Sequence, residues 1–119
     1  AARRDTVVYT SRELVTGATA EESIRIQAGV ADALIGIVRG IDTAPRYVLA
    51  KGGITSHDIA ARALGVKRAV VAGQIIPGVP VWRLGEGSRF PGLGYIVFPG
   101  NVGGETSMTD VVRALRQAP

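Results

Sequence analysis

The sequence predicts a single α/β domain, with a mainly parallel or mixed sheet flanked by helices. Three observations predict it. Short β-branched or continuously apolar runs alternate with segments of helical period. Glycine-rich turns stand between several of those runs and the helix that follows. A chain of 119 residues, 46% hydrophobic and 20% charged, suits one globular domain and argues against disorder.

The elements follow in order. Thr6-Val7-Val8-Tyr9-Thr10 is β-branched and aromatic and reads as a buried strand. Thr19 and Glu22 form a T-x-x-E capping box that opens a helix over residues 20–39. Ile26, Val30, Ala33, Leu34 and Ile37 make its apolar stripe, and Gly40 closes it. Residues 46–50 are a second strand, ending at Lys51-Gly52-Gly53. Thr55-Ser56-His57-Asp58 starts a helix reaching Leu64, with Gly65 as its stop. Residues 68–72 are the next strand, and 73–78 a loop turning at Pro77-Gly78. Val79 to Leu84 alternates loosely, and Pro80 marks it as an edge strand or extended arm. Four glycines and a proline make 85–94 a surface loop. Tyr95-Ile96-Val97-Phe98 is a short apolar strand running into Pro99-Gly100-Asn101-Val102-Gly103-Gly104. Ser107 and Asp110 then start a last helix with Val111, Val112 and Leu115 inward.

Composition narrows the chemistry. With no cysteine, disulfides, thiolate catalysis and cysteine metal sites are excluded, and a lone histidine, His57, cannot build a His-rich zinc site. No apolar run approaches the roughly 20 residues that span a bilayer. No signal segment follows Arg3-Arg4, so a cytoplasmic location is expected. The chain starts without Met almost directly on a strand, which suggests a piece of a longer protein. The net charge of +4 comes almost wholly from arginine. The arginines are scattered and aromatics are few, so nucleic acid is not the expected partner.

Two turns can carry chemistry. Lys51-Gly52-Gly53-Ile54-Thr55-Ser56 joins a strand to a helix start, where glycines allow close approach of a phosphate. Free N–H groups and the helix dipole there favour an anion. Thr55 and Ser56 add hydroxyls and Lys51 a charge, although the same pattern serves as a plain βα turn with an N-cap pair. It is not a Walker A loop. The second turn, with Gly100, Asn101 and Gly103, has the same strand-to-helix setting. Two such turns at the carboxyl edge of one sheet would converge on one crevice. Gly73 and Gln74, and Ser11 with Thr10 and Arg12, also follow strands and are possible contributors. His57 and Asp58 read as ordinary helix residues, Trp82 as a packing or interface residue, and Arg83 and Arg89 as surface charges. No carboxylate pair, Ser/His/Asp set or metal cluster stands out, so the catalytic residues stay unassigned.

The runs Lys51-Gly52-Gly53-Ile54-Thr55-Ser56, Gly73-Gln74-Ile75-Ile76-Pro77-Gly78-Val79-Pro80-Val81-Trp82 and Phe98-Pro99-Gly100-Asn101-Val102-Gly103 resemble the C-terminal nucleotide-binding domain of the four-carbon acid sugar kinases. The opening Val8-Tyr9-Thr10-Ser11-Arg12 does as well. The resemblance covers nearly the whole chain. It implies a two-domain kinase in which this half binds ATP with Mg2+, while an N-terminal domain bearing an Asp-Asp-x-Thr-Gly motif holds a threonate- or erythronate-like acid. It further implies that Gly52, Gly53, Ile54 and Thr55 form the phosphate loop and that Gly100 is a second nucleotide contact. Two departures stand out: Ile54 occupies a position that is acidic in many relatives, and the Asp-Asp-x-Thr-Gly motif does not occur here. The chain alone is therefore expected to be inactive. The alternative is a non-catalytic module that binds a nucleotide or an anion.

Overall fold

A computed structural model of the chain describes residues 5–10, 17–101 and 104–117. Helix α1 (Ala20–Arg39) leads to strand β1 (Tyr47–Lys51). Helix α2 (Gly53–Asp58) follows and runs directly into a π-helical turn (Ile59–Ala63). Strands β2 (Ala69–Ile76), β3 (Val79–Leu84) and β4 (Gly94–Phe98) come next, and α3 (Ser107–Gln117) closes the order. The sheet is four-stranded and mixed, in the order β1-β4-β3-β2. The β1/β4 pair is parallel, whereas β3 is antiparallel to both β4 and β2.

Alternation along the strands sorts the core into two layers. On one face Ala50, Tyr95 and Leu84 pack with Ile35 of α1 and with Ile59, Ala60, Ala63 and Leu64 of the α2–π segment. On the other, Val79, Ile96 and Phe98 pack with Val111 of α3. Thr19 caps α1 as expected: its hydroxyl accepts from Glu22 N–H at 3.1 Å, and the Glu22 carboxylate accepts from Ala18 N–H at 2.8 Å. The helix after the first glycine turn starts at Gly53, two residues before the expected start, and widens into the π turn before Gly65 ends it at φ +63. The wide turn closes with Leu64 N–H on Ile59 O at 3.0 Å.

Four expectations are corrected. β3 is neither an edge strand nor an arm: it lies between β4 and β2, with Pro80 opposite Gln74 next to a register shift. Residues 6–10 form no strand: Val7 is 77% and Tyr9 83% exposed. A strand needs a hydrogen-bonded neighbour, and β1, the nearest edge, pairs only with β4. The loop expected at 73–78 shrinks to Pro77-Gly78, and Gly73 and Gln74 lie on β2. The irregularity is absorbed as register shifts between Val71 and Gly73 and between Gln74 and Ile76. Gly78 at φ +82 takes the third position of a turn that Pro77 presets. Arg89 is not merely a surface charge. Its guanidinium donates to Val38 O and Ile41 O at the C-terminal end of α1, and its own N–H donates to Leu64 O at 2.8 Å. A cation there meets the negative end of the helix dipole.

Candidate functional site

The two glycine turns leave neighbouring strands at the same sheet edge. Lys51 stands opposite Phe98 in the parallel β1/β4 register, and Gly52 N–H donates to Phe98 O at 2.7 Å. That bond stitches the start of one turn to the end of the strand that feeds the other. Gly52 sits at φ +99, ψ 143, a conformation that only glycine adopts readily, and it turns the chain from β1 into α2. Ser56 N–H on Gly52 O, at 2.9 Å, is the first bond of that helix. The N–H groups of Gly53, Ile54 and Thr55 precede it and so have no partner within the helix.

The side chains of the first turn divide among three directions. Ser56 is buried, and its hydroxyl lies 2.6 Å from Gly52 O and 3.1 Å from Ala50 O, so it holds the turn together. Thr55 faces α1, in a narrow gap with Ala31, Leu34, Ile35, Asp58 and Ile59. Ile54 is 82% exposed, an apolar side chain projecting where the resemblance favours a carboxylate. Lys51, Gly53, Gly100 and Asn101 are exposed at the same edge. Around Gly53 and Gly100 nothing stands within 4 Å of where a Cβ would be, so both backbones are open to approach.

Beside α2, on the flank away from α1, the sheet carries an open cleft of about 360 Å3. Gly53, Ser56, His57, Ala60 and Ala61 form one wall, while Val71, Trp82 and Val97 form the floor on β2, β3 and β4. Lys67 and Arg68 add charge at the end where the chain enters β2. Trp82 packs beside Tyr95, its cross-strand neighbour, with ring centroids 6.0 Å apart. The Tyr95 hydroxyl donates to Ser56 O at 2.7 Å, tying the floor to the helix wall. Burial pushes the Tyr95 phenol well above its ordinary value, so it remains a neutral donor.

The structure thus brings Gly52, Gly53 and Ser56 next to the cleft and Gly100 and Asn101 next to the turn, although the latter pair do not line the cleft. Gly73 and Gln74 do not line it either, and the Gln74 side-chain carbonyl accepts from Gly78 N–H at 2.9 Å, shaping the hairpin. Ser11 and Gly103 lie outside the described residues. Trp82 packs against the core beside Tyr95, as the packing reading expects, and it also floors the cleft, which sequence reasoning did not assemble. Its register with Tyr95, which puts both rings on the α2 face, is a tertiary fact with no local signal. Among the described residues no group of three or more His, Asp or Glu could hold a metal ion. Among the described residues no helix is long and apolar enough to cross a membrane.

Comparison with protein families matches residues 1–108 to the model of a nucleotide-binding C-terminal domain. No curated protein and no solved structure matches the chain.

Proposed function

Because the chain belongs to the nucleotide-binding C-terminal domain family, the domain of the four-carbon acid sugar kinases, we propose that it is the ATP-binding half of a kinase acting on a four-carbon sugar acid. The observation that carries the placement is the adjacency of turn and cleft. Gly53 belongs to both the glycine turn and the cleft wall, and Trp82 floors the cleft beyond it. The amides of Gly53, Ile54 and Thr55 would hold phosphate oxygens, and the open backbone at Gly100 and Asn101 would meet the same phosphates from β4. The apolar floor of Val71, Trp82 and Val97 suits a nucleobase, which needs a flat apolar contact more than a charge. Lys51 at the edge would offset phosphate charge, and His57 on the wall would offer a ring N–H donor.

Magnesium does not fit as a protein-held ion here. Ile54 offers no side-chain oxygen at the turn, and the described residues carry no group of three or more His, Asp or Glu that could hold an ion. The ion would come bound to the phosphates, with further ligands from elsewhere in the enzyme. Phosphoryl transfer is largely positioning and charge neutralisation. This half would therefore fix the nucleotide, while an N-terminal domain would hold the acid and any base. Both would work in the cytoplasm. Ile54 is also the observation that favours a second reading, a module of the same fold that binds nucleotide or another anion without catalysis.

The deciding experiment has two arms. Calorimetry with ADP tests the nucleotide site on this chain. A coupled ADP-release assay with threonate and erythronate, run with and without an N-terminal partner domain, tests the kinase. Turnover only with the partner supports the two-half reading. Acid-dependent turnover by the chain alone overturns it. ADP binding with no turnover in either arm supports the non-catalytic module.

A further inference from the structure

The sheet has an edge and a helix that do not match. α2 and its π turn lie beside β1 and β4, with the cleft on one flank and α1 on the other. Since the cleft flank faces β3 and β2, α1 lies on the β1 side and packs sideways on the α2–π segment, overhanging the free edge of the sheet. Ile26, Val30, Ala33 and Ile37 stand at helical spacing on α1, with Val30 42% and Ile37 50% exposed. On its outer side β1 has hydrogen-bonding capacity to spare. Gly52 N–H points at β4, so by the two-residue period the amides of Leu49 and Lys51 point to the open side.

The chain itself carries a segment suited to that place. Residues 6–10 have strand composition yet are exposed, with Val7 at 77%, Val8 at 49% and Tyr9 at 83%. One end is already fixed at the start of β1. Tyr47 O–H donates to the Asp5 carboxylate at 2.6 Å, and Arg116 Nε donates to it at 2.9 Å. A strand leaving that anchor parallel to β1 would bring Thr10 level with Lys51 and Gly52. Val7 and Tyr9 would share the face of Tyr47 and α3, and Val8 would turn toward α1. α1 would then be the crossover of an ordinary βαβ unit.

We infer that residues 6–10 are a strap that docks as a fifth strand on the free edge of β1 when nucleotide fills the glycine-turn site, closing the site from its outer side. The inference rests on the nucleotide reading given above. The exposed, unpaired segment is the open state, and the docked state covers the outward amides of β1. A ligand bound at the Gly52–Gly53 turn contacts the end of the strap only in the docked state, which is the differential interaction that drives closure.

Hydrogen exchange read by mass spectrometry, with and without saturating ADP, tests the strap, and calorimetry on the same samples reports binding. The amides of residues 6–10 should slow at least about tenfold with ADP, together with those of β1. Val8→Pro removes a ladder donor from a segment that makes no ladder in the open state. It should leave the circular dichroism unchanged, abolish the protection and weaken ADP about tenfold. Val8→Thr should behave as the parent. Calorimetric binding without protection overturns the strap and leaves nucleotide binding standing. No ADP binding at all overturns the nucleotide reading and, with it, the trigger. Protection that appears only with dimer formation in light scattering assigns the β1 edge to a second copy and overturns the strap.

Discussion

One face of the sheet is treated in two ways. Over β1 and β4, the α2–π segment covers Ala50 and Tyr95 completely, and the tyrosine ring is sealed from solvent. Over β3 and β2 the same face is bare beyond the buried Leu84: Trp82 is half-buried, and Val71, on the cleft floor, is 65% exposed. Residue type does not explain the contrast, since all four strands are rich in Val, Ile and aromatic residues. It arises because the short crossover after β1 brings a helix back over its own pair, while the β2–β3 hairpin brings none. The covered half holds buried core and the bare half leaves its side chains accessible, so substitutions in the two halves should move different observables.

The largest effect is expected in the covered half. Tyr95→Ala removes a fully buried ring and the bond that ties the floor to α2, and should destabilise the chain by about 3–5 kcal/mol in urea unfolding. Tyr95→Phe keeps the ring and should cost about 1 kcal/mol, the order of one hydrogen bond. If both cost the same, the ring packing is not what the covered half depends on. At the boundary, Gly53→Val meets open space and has no left-handed backbone to strain, so its unfolding midpoint should stay near the parent's. ADP binding should weaken about tenfold, roughly 1.4 kcal/mol, in calorimetry. An equal loss of stability would make Gly53 a folding residue. In the bare half, Val71→Thr should change stability by less than about 0.5 kcal/mol. Trp82 is the sole tryptophan, so its fluorescence reports directly on that half, and quenching by ADP should persist in Val71→Thr.

The smallest effect concerns pH and the anchor at the outer edge. The Tyr47 hydroxyl, followed by Arg116, holds the Asp5 carboxyl below its usual value. Its contribution is therefore present above about 3.8 and is lost as pH falls through the lower folded value. Burial and the bond to Asp5 push Tyr47 up to about 12, so the same contact is present below about 10 and fails as pH rises toward 12. Asp5→Asn should flatten the acid limb of the stability profile, while the core-dominated midpoint near neutrality hardly moves.

Legibility in the sequence followed locality. α1 was readable to its ends because Thr19, Glu22 and Gly40 state its boundaries locally. β1 and β4 were readable as short apolar runs punctuated by glycine. Gly73 hid the length of β2, because an isolated glycine signals a turn and here sits beside a register shift inside a strand. Residues 6–10 misled for the opposite reason: the local propensity is that of a strand, and pairing is not a local property. At the site, both glycine turns were legible and their adjacency was a fair inference from a parallel pair. The cleft was not legible, because its floor is assembled from β2, β3 and β4, and only the pairing register brings Val71, Trp82 and Val97 together. Arg89 was missed on the same grounds, since the helix end that it caps lies about fifty residues upstream.

The π turn at Ile59–Ala63 has a bearing on how sequences of this kind are to be compared. A π turn accommodates one residue more than an α turn while leaving the helix axis continuous. The stretch between Gly52 and Gly65 can therefore lose a single residue without moving either glycine. A chain one residue shorter here would be accommodated as plain α-helix, with the same cleft wall ahead of it. An alignment gap inside this helix would then mark a change of winding, and the residues on its two sides should be matched by the face they occupy, not by their count from the glycine turn.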